Sequence, residues 1–283
     1  MDWNFYSICE AFTLLQMWPV FDVVHYILMA LNMKRELSTS VAFAFERRHP
    51  LASWITTMLL CNAGPILVCL YLGKPLAIIL KSPEKIAVST LVWYAVNYVP
   101  GVFTLLTNRW ITCLLVSAKE VQRVYGVYGG VQEASQLYSS YYVVLFTLGF
   151  IRGTASEIMM VFARLLAGII KVHTAQTVSP NVFLFPSCLF KASALVSAMF
   201  CLEHYSYIQV NHSVLFSCTI AVLIYLRILM ILGVIADPFV PFENLFCAIV
   251  FGGMWDAYKL VVRQDRKGTQ ANGAVHHQKM KTS

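Results

Sequence analysis

The chain has 283 residues, of which 58% are hydrophobic and 12% charged, with a formal net charge of +7. A water-soluble domain carries about 25% charged residues, so a surface of the ordinary soluble kind is excluded, and a mean hydropathy of +0.66 points to a chain that crosses a membrane several times. The positive charge does not indicate nucleic acid, because its distribution is that of a topology signal and a basic tail near anionic lipid.

A spanning helix needs about 20 apolar residues at about 1.5 Å each to cross about 30 Å of hydrocarbon. Seven segments meet this, at about 11–33, 50–73, 84–106, 108–131, 140–168, 186–208 and 213–235. "MDWNFYSICEAF" lacks the basic start and cleavage site of a signal peptide, so the first span is expected to serve as the targeting signal. "TNR" at 107–109 separates the third span from the fourth, and Gly129 and Gly130 read as the end of the fourth. An eighth run, Phe242 to Trp255, has 14 residues and reads as an interfacial or re-entrant piece. The tail, 259–283, is polar, basic and expected to be disordered and cytosolic.

Lys and Arg give the orientation. With seven spans, one side holds Lys34, Arg35, Arg47, Arg48, Arg109, Lys171 and the tail cations Lys259, Arg263, Arg266, Lys267, Lys279 and Lys281. The other side holds Lys74, Lys81 and Lys85. The bias puts the C-terminus in the cytosol and the N-terminus on the far, lumenal side. "KMKTS" at the end resembles the dilysine retrieval signal of endoplasmic-reticulum membrane proteins.

Spans 1–3 (about 11–106) and 4–6 (108–208) read as two copies of a three-helix unit. An odd number of spans makes the second copy inverted. Residues 213–258 supply a seventh helix and the short interfacial run. Support comes from a break expected near the middle of the second span of each half, "CNAGPIL" at 61–67 and "LGFIRGTAS" at 148–156. Pro65 removes a helix hydrogen bond and Gly64 loosens the chain beside it. Gly149 and Gly153 are four apart, which suits either close helix packing or a bend whose carbonyls line a wet path.

Charges inside hydrocarbon cost a few kcal/mol or more each and face partners or water. Here they are Asp22, Lys119, Glu120, Arg123, Arg152, Glu157, Lys191 and Glu203. In "KEVQR", Lys119 and Arg123 are four apart and Glu120 and Arg123 three apart; Asp22 and His25 share a face of the first span. Two readings stand. In one the charges are structural, Lys119 pairing with a distant carboxylate such as Asp22 and Glu120 with Arg123. In the other, two stacked cations face a cleft and hold a lipid phosphate, or sense the membrane field. Arg152 needs neutralising, by Asp22 or Glu157. Glu203 and His204 form a further polar pair at the end of the sixth span. The eight cysteines form no CxxC pair, and no nucleotide, metalloprotease or hydrolase motif occurs. Free thiols, no metal site and no enzyme are expected.

"MWPVFDVVHYI" (17–27), "ERRHPLASWITTMLLC" (46–61), "AKEVQRVYGVYGGV" (118–131), "GFIRGTASEIMMVFARLLAGI" (149–169), "FPSCLFKAS" (185–193) and "PFENLFCAIVFG" (241–252) resemble, in order, the trimeric intracellular cation channels, nearer the B type and plausibly an invertebrate member. The resemblance implies a potassium-permeable channel of the endoplasmic or sarcoplasmic reticulum carrying counter-ion current as calcium is released or taken up, coupled to release channels without implied contact. It implies two inverted three-helix bundles plus a seventh helix, a homotrimer with a pore in each protomer, and spans 2 and 5 bending at glycines around that pore. It ties gating to Lys119 and implies that Lys119 and Arg123, with Glu120 and Gly130 alongside, hold phosphatidylinositol 4,5-bisphosphate. Gly64, Pro65, Gly149, Arg152 and Gly153 become pore or hinge residues, and Asp22, His25, Glu157 and Lys191 charge partners. The span-2 break departs from a run of glycines: it reads "NAGP". A secondary transporter with alternating access is the other reading, and seven-helix receptor signatures are absent.

Overall fold

The structure is a computed structural model and describes residues 2–40, 48–171, 187–235 and 237–250. All regular elements among those residues are helical. Helix α1 (Asp2–Thr13) is followed by α2 (Val20–Ser40). The first span therefore begins at Val20 rather than near residue 11. The apolar count runs straight through "LQMWP", yet Pro19 has no amide to donate and marks a helix start. Helix α1 packs on the last helix of the bundle, and the Tyr125 hydroxyl donates to the Phe12 carbonyl.

Helices α3 (Pro50–Cys61) and α4 (Ala63–Leu72) form one bent span. Pro50 opens it at the first helical position, and Gly73 closes it in the left-handed region at φ 65°. A short 3-10 turn (Leu76–Lys81) leads to α5 (Pro83–Tyr98). The third span is then interrupted: Pro100 and Gly101 (φ 82°) separate α5 from α6 (Val102–Leu106). Asn108 caps α7 (Arg109–Tyr138) by accepting the Trp110 N–H at 3.1 Å, so "TNR" is the boundary expected. Helix α7 runs through Gly129 and Gly130 without ending there.

Helix α8 (Tyr142–Lys171) is unbroken through Gly149 and Gly153. Ser187 caps α9 (Cys188–His204), and Asn211 caps α10 (His212–Leu232), which stops at Gly233 (φ 78°). Two described helices are long and apolar enough alone to cross a bilayer, at Tyr142–Arg164 and His212–Leu232; the bent pair makes a third. The others are shorter, as with α5 and α9, or carry the charges described below, as with α2 and α7.

Helices α2, α3 and α5 pack on one another, as do α7, α8 and α9; α2 lies against α7, and both α3 and α4 run along α8. Leu31, Leu60, Val96, Val116, Met159 and Ala163 form the core of that junction. Trp110, Leu114, Val143, Leu195 and Tyr225 point outward, as side chains facing lipid do. The chain divides after Ala236 into two compact units, which splits the expected 213–258 grouping. In the second unit, α11 (Val240–Val250) has 11 residues, too few to span. Residues 251–258 and the tail lie outside the described residues.

Candidate functional site

The bend between α3 and α4 is 66° and centres on Asn62. Its cause is local. The Pro65 nitrogen carries no hydrogen, so the Cys61 carbonyl loses the donor four residues on. The helix ladder holds on both sides, with Asn62 N–H to the Met58 carbonyl at 3.1 Å and Ile66 N–H to the Asn62 carbonyl at 3.0 Å. The orphaned Cys61 oxygen lies 3.2 Å from Nε2 of His25 on α2. A mainly apolar cavity of about 250 Å³ borders the bend, lined by Trp54, Met58, Asn62, Ile66 and Ile79 among others.

His25 joins this carbonyl to the "KEVQR" segment. Its Nδ1 is 2.8 Å from Lys119 Nζ, which also donates to Gln122 Oε1 at 3.0 Å. Gln122 Nε2 donates to Asp22 Oδ1 at 2.8 Å, and the other Asp22 oxygen takes Lys85 at 3.1 Å. Lys119 thus reaches Asp22 through Gln122 rather than by a direct pair. An ammonium that gains hydrogen bonds but no adjacent carboxylate is weakly held in place compared with a salt-bridged one.

Arg123 is the opposite case. Its Nε donates to Glu120 at 3.0 Å, one terminal nitrogen to the Gly153 carbonyl at 2.5 Å and to Ser193 Oγ at 3.2 Å, and the other to Glu157 at 2.9 Å. Arg123 and Glu120 are buried, 4% and 2% exposed. The Glu120–Arg123 pair is as the spacing suggests. Glu120 also faces Arg227 of α10 at 3.9 Å. Glu157 goes to Arg123 and not to Arg152.

Arg152 instead pairs with Glu133 at 3.2 Å, and Lys74 shares that carboxylate at 2.7 Å. Gly129 makes room for the guanidinium, since a Cβ there would lie 3.0 Å from an Arg152 nitrogen, and Gly130 lets the α8 backbone approach, since a Cβ there would lie 2.8 Å from the Leu148 carbonyl and 2.9 Å from Gly149 Cα. Gly149 and Gly153 lie at a close packing seam. A Cβ at Gly149 would meet Ser197 Oγ at 2.5 Å, and one at Gly153 would meet Val127 at 2.6 Å. Lys191 lies half-buried in the first turn of α9. Glu203 pairs with His212 at 2.8 Å rather than with His204.

Lys119 and Arg123, four residues apart on α7, make separate sets of contacts. The two cations turn to different helices, Lys119 to α2 and Arg123 to α8 and α9, and Arg123 spends four contacts on protein acceptors. Among the described residues no group of His, Cys, Asp and Glu is built to hold a metal. Sequence reasoning missed Gln122, Glu133 and Ser193. Gln122 had a signal, being three residues past Lys119 on the same face. Glu133 follows Gly129 by four, which shows only once α7 is carried past the glycine pair.

A helical membrane protein that hydrogen-bonds its internal charges between helices, beside one broken span, is built as a channel or transporter. Residues 39–233 match the family model described as TRIC channel. Trimeric intracellular cation channel type 1B.1 of Caenorhabditis elegans is 34% identical over 91% of this chain and 87% of its own length. The human type B channel is 28% identical over 89% and 84%. A solved trimeric intracellular cation channel from C. elegans without Ca2+ superposes with a TM-score of 0.71 at 30% identity, covering 82% of this chain and 98% of that one. Another, described under the structural basis for activity of TRIC counter-ion channels in calcium release, gives 0.72 at 26% identity over 80% and 98%. The chain belongs to the TRIC channel family. It is a membrane cation channel by family and not an enzyme.

Proposed function

We propose that the protein is a potassium-permeable channel of the endoplasmic or sarcoplasmic reticulum, carrying counter-ion current while calcium leaves or enters the store without direct contact with the release channels. The chain assembles as a homotrimer, each protomer with its own path between α3–α4 and α8. Seven spans, as two inverted triplets and a seventh helix, place the N-terminus in the lumen and the C-terminus in the cytosol. Lys119 gates. The observation that carries this reading is the bent span whose orphaned Cys61 carbonyl lies one side chain away from Lys119. Arg152, the fixed cation most at odds with cation flow, is offset by Glu133.

Phosphatidylinositol 4,5-bisphosphate enters as a modulator expected from the resemblance rather than from the geometry, since Arg123 is engaged by Glu120 and Glu157. The test is single-channel recording of purified protein in planar bilayers with potassium salt, wild type beside Lys119→Ala, with and without the lipid. Discrete potassium-selective openings whose voltage dependence changes in the mutant support the reading. Flux that saturates with substrate and shows no unitary steps replaces it with an alternating-access transporter.

A further inference from the structure

We propose that His25 is a positioning residue that couples Lys119 to the bend of the second span. The proposal rests on the reading of Lys119 as the gating residue and adds the path by which its state reaches the pore wall.

Three observations converge. Pro65 leaves the Cys61 carbonyl without its helix donor, and an unpaired carbonyl is costly inside a membrane. The donor that replaces it comes from another helix: His25 Nε2, at 3.2 Å. The other ring nitrogen lies 2.8 Å from Lys119 Nζ. An ammonium has donors only, so Nδ1 accepts and the ring proton sits on Nε2, directed at Cys61. Lys119 therefore fixes the tautomer that satisfies the bend. The groups around the ring fit this role. Asp22, the carboxylate on the same helix, is occupied by Gln122 and Lys85, and Arg123 on α7 is occupied by Glu120 and Glu157.

When Lys119 withdraws along the membrane field, Nδ1 loses its donor. The ring is then free to turn or to take the other tautomer, and Cys61 loses its partner. The bend must change angle or admit water to solvate the carbonyl, and either event alters a path that runs along α3 and α4. Beside the bend, nothing lies within 4 Å of a Cβ built on Gly64, so the segment has room to move.

The experiment compares open probability against voltage in planar bilayers for purified trimers, with unitary conductance and melting temperature as controls for assembly. His25→Leu removes both hydrogen bonds and is expected to shift the open–closed equilibrium by about tenfold or more, as for a lost hydrogen bond to a charged group. His25→Gln, whose amide offers an acceptor and a donor at similar spacing, restores wild-type gating. Lys119→Ala adds less than about twofold in the His25→Leu background, the scatter of uncoupled sites. Pro65→Ala supplies the missing backbone N–H and suppresses the effect of His25→Leu. Additive effects of Lys119→Ala and His25→Leu overturn the coupling while keeping Lys119 as gate. Lys119→Ala without any effect on gating overturns the underlying reading instead. Should His25→Leu fail to assemble, His25→Asn reaches Lys119 but not Cys61, and wild-type gating in it overturns the proposal.

Discussion

Two packed triplets of helices, α2 with α3 and α5, and α7 with α8 and α9, each carry proline or glycine near the middle of the second member, and the two respond differently. The α3–α4 span bends by 66° at Asn62, whereas α8 runs through Gly149 and Gly153 over 30 residues. Each presents one mid-span carbonyl to a side chain from the first helix of its own triplet. His25 of α2 takes Cys61, and Arg123 of α7 takes Gly153. The difference lies in what each residue removes. Proline removes a backbone donor, so the ladder opens and the chain turns. Glycine removes only a side chain, and in α8 the vacated space is filled by Val127, Val131, Ser193 and Ser197. One interruption makes a bend with open space beside it; the other makes a seam between three helices.

The largest expected effect tests whether α8 depends on its side-chain clamp. Arg123→Leu leaves Glu157 without its cation and Glu120 with only Arg227, at 3.9 Å. Removing one partner of a buried ionic cluster costs about 3–5 kcal/mol, read as a large drop in melting temperature. Glu157→Gln in the same chain recovers part of it. A melting temperature unchanged by Arg123→Leu removes the clamp from the comparison. The next effect separates seam from bend. Gly130→Ala and Gly153→Ala force contacts below 3.0 Å and cost about 1–3 kcal/mol. Gly64→Ala meets nothing and changes stability by less than about 0.5 kcal/mol. Equal losses at the three positions would erase the distinction. Pro65→Ala tests the bend itself. Spin labels at Ile55 and Leu70, both exposed, move apart by about 4 Å if the span straightens, given 1.5 Å per residue. An unchanged distance means that packing, not the missing N–H, sets the angle.

Much of this was legible in the sequence, and the failures have a common form. Pro65 fixed the site of the bend because a missing donor is a property of the residue alone. "TNR" likewise marked a helix start, where the Asn108 side chain caps α7. Glycines misled. Gly129 and Gly130 looked like an end of α7, and Gly149 and Gly153 suited either a packing seam or a second bend, because a glycine announces only that a side chain is missing. Whether a turn or a neighbouring helix uses the space is decided by residues distant in the chain. The Glu120–Arg123 pair was readable as a three-residue spacing, but the partners of Lys119 and Arg152 were not. His25 is 94 residues from Lys119, and Glu133 waited on the true length of α7.

The smallest effect falls at the far end of α8. Arg164 of α8 makes a two-pronged contact with Glu36 of α2, at 2.6 and 3.1 Å. By geometry alone it is a well-formed ion pair between α2 and α8, and it could be taken for the lock that holds α8 in place. Exposure argues otherwise. Both side chains are more than a third accessible, where solvent and salt screen the attraction and ordering two long side chains offsets what remains. Arg164→Ala should therefore cost less than about 1 kcal/mol, and the loss should shrink as ionic strength rises. Arg123, buried and bound to the carbonyl at the middle of the same helix, should cost several times more and respond little to salt. If the order were reversed, α8 would be held by its end rather than its centre, and its placement would owe little to the side chain that mirrors His25.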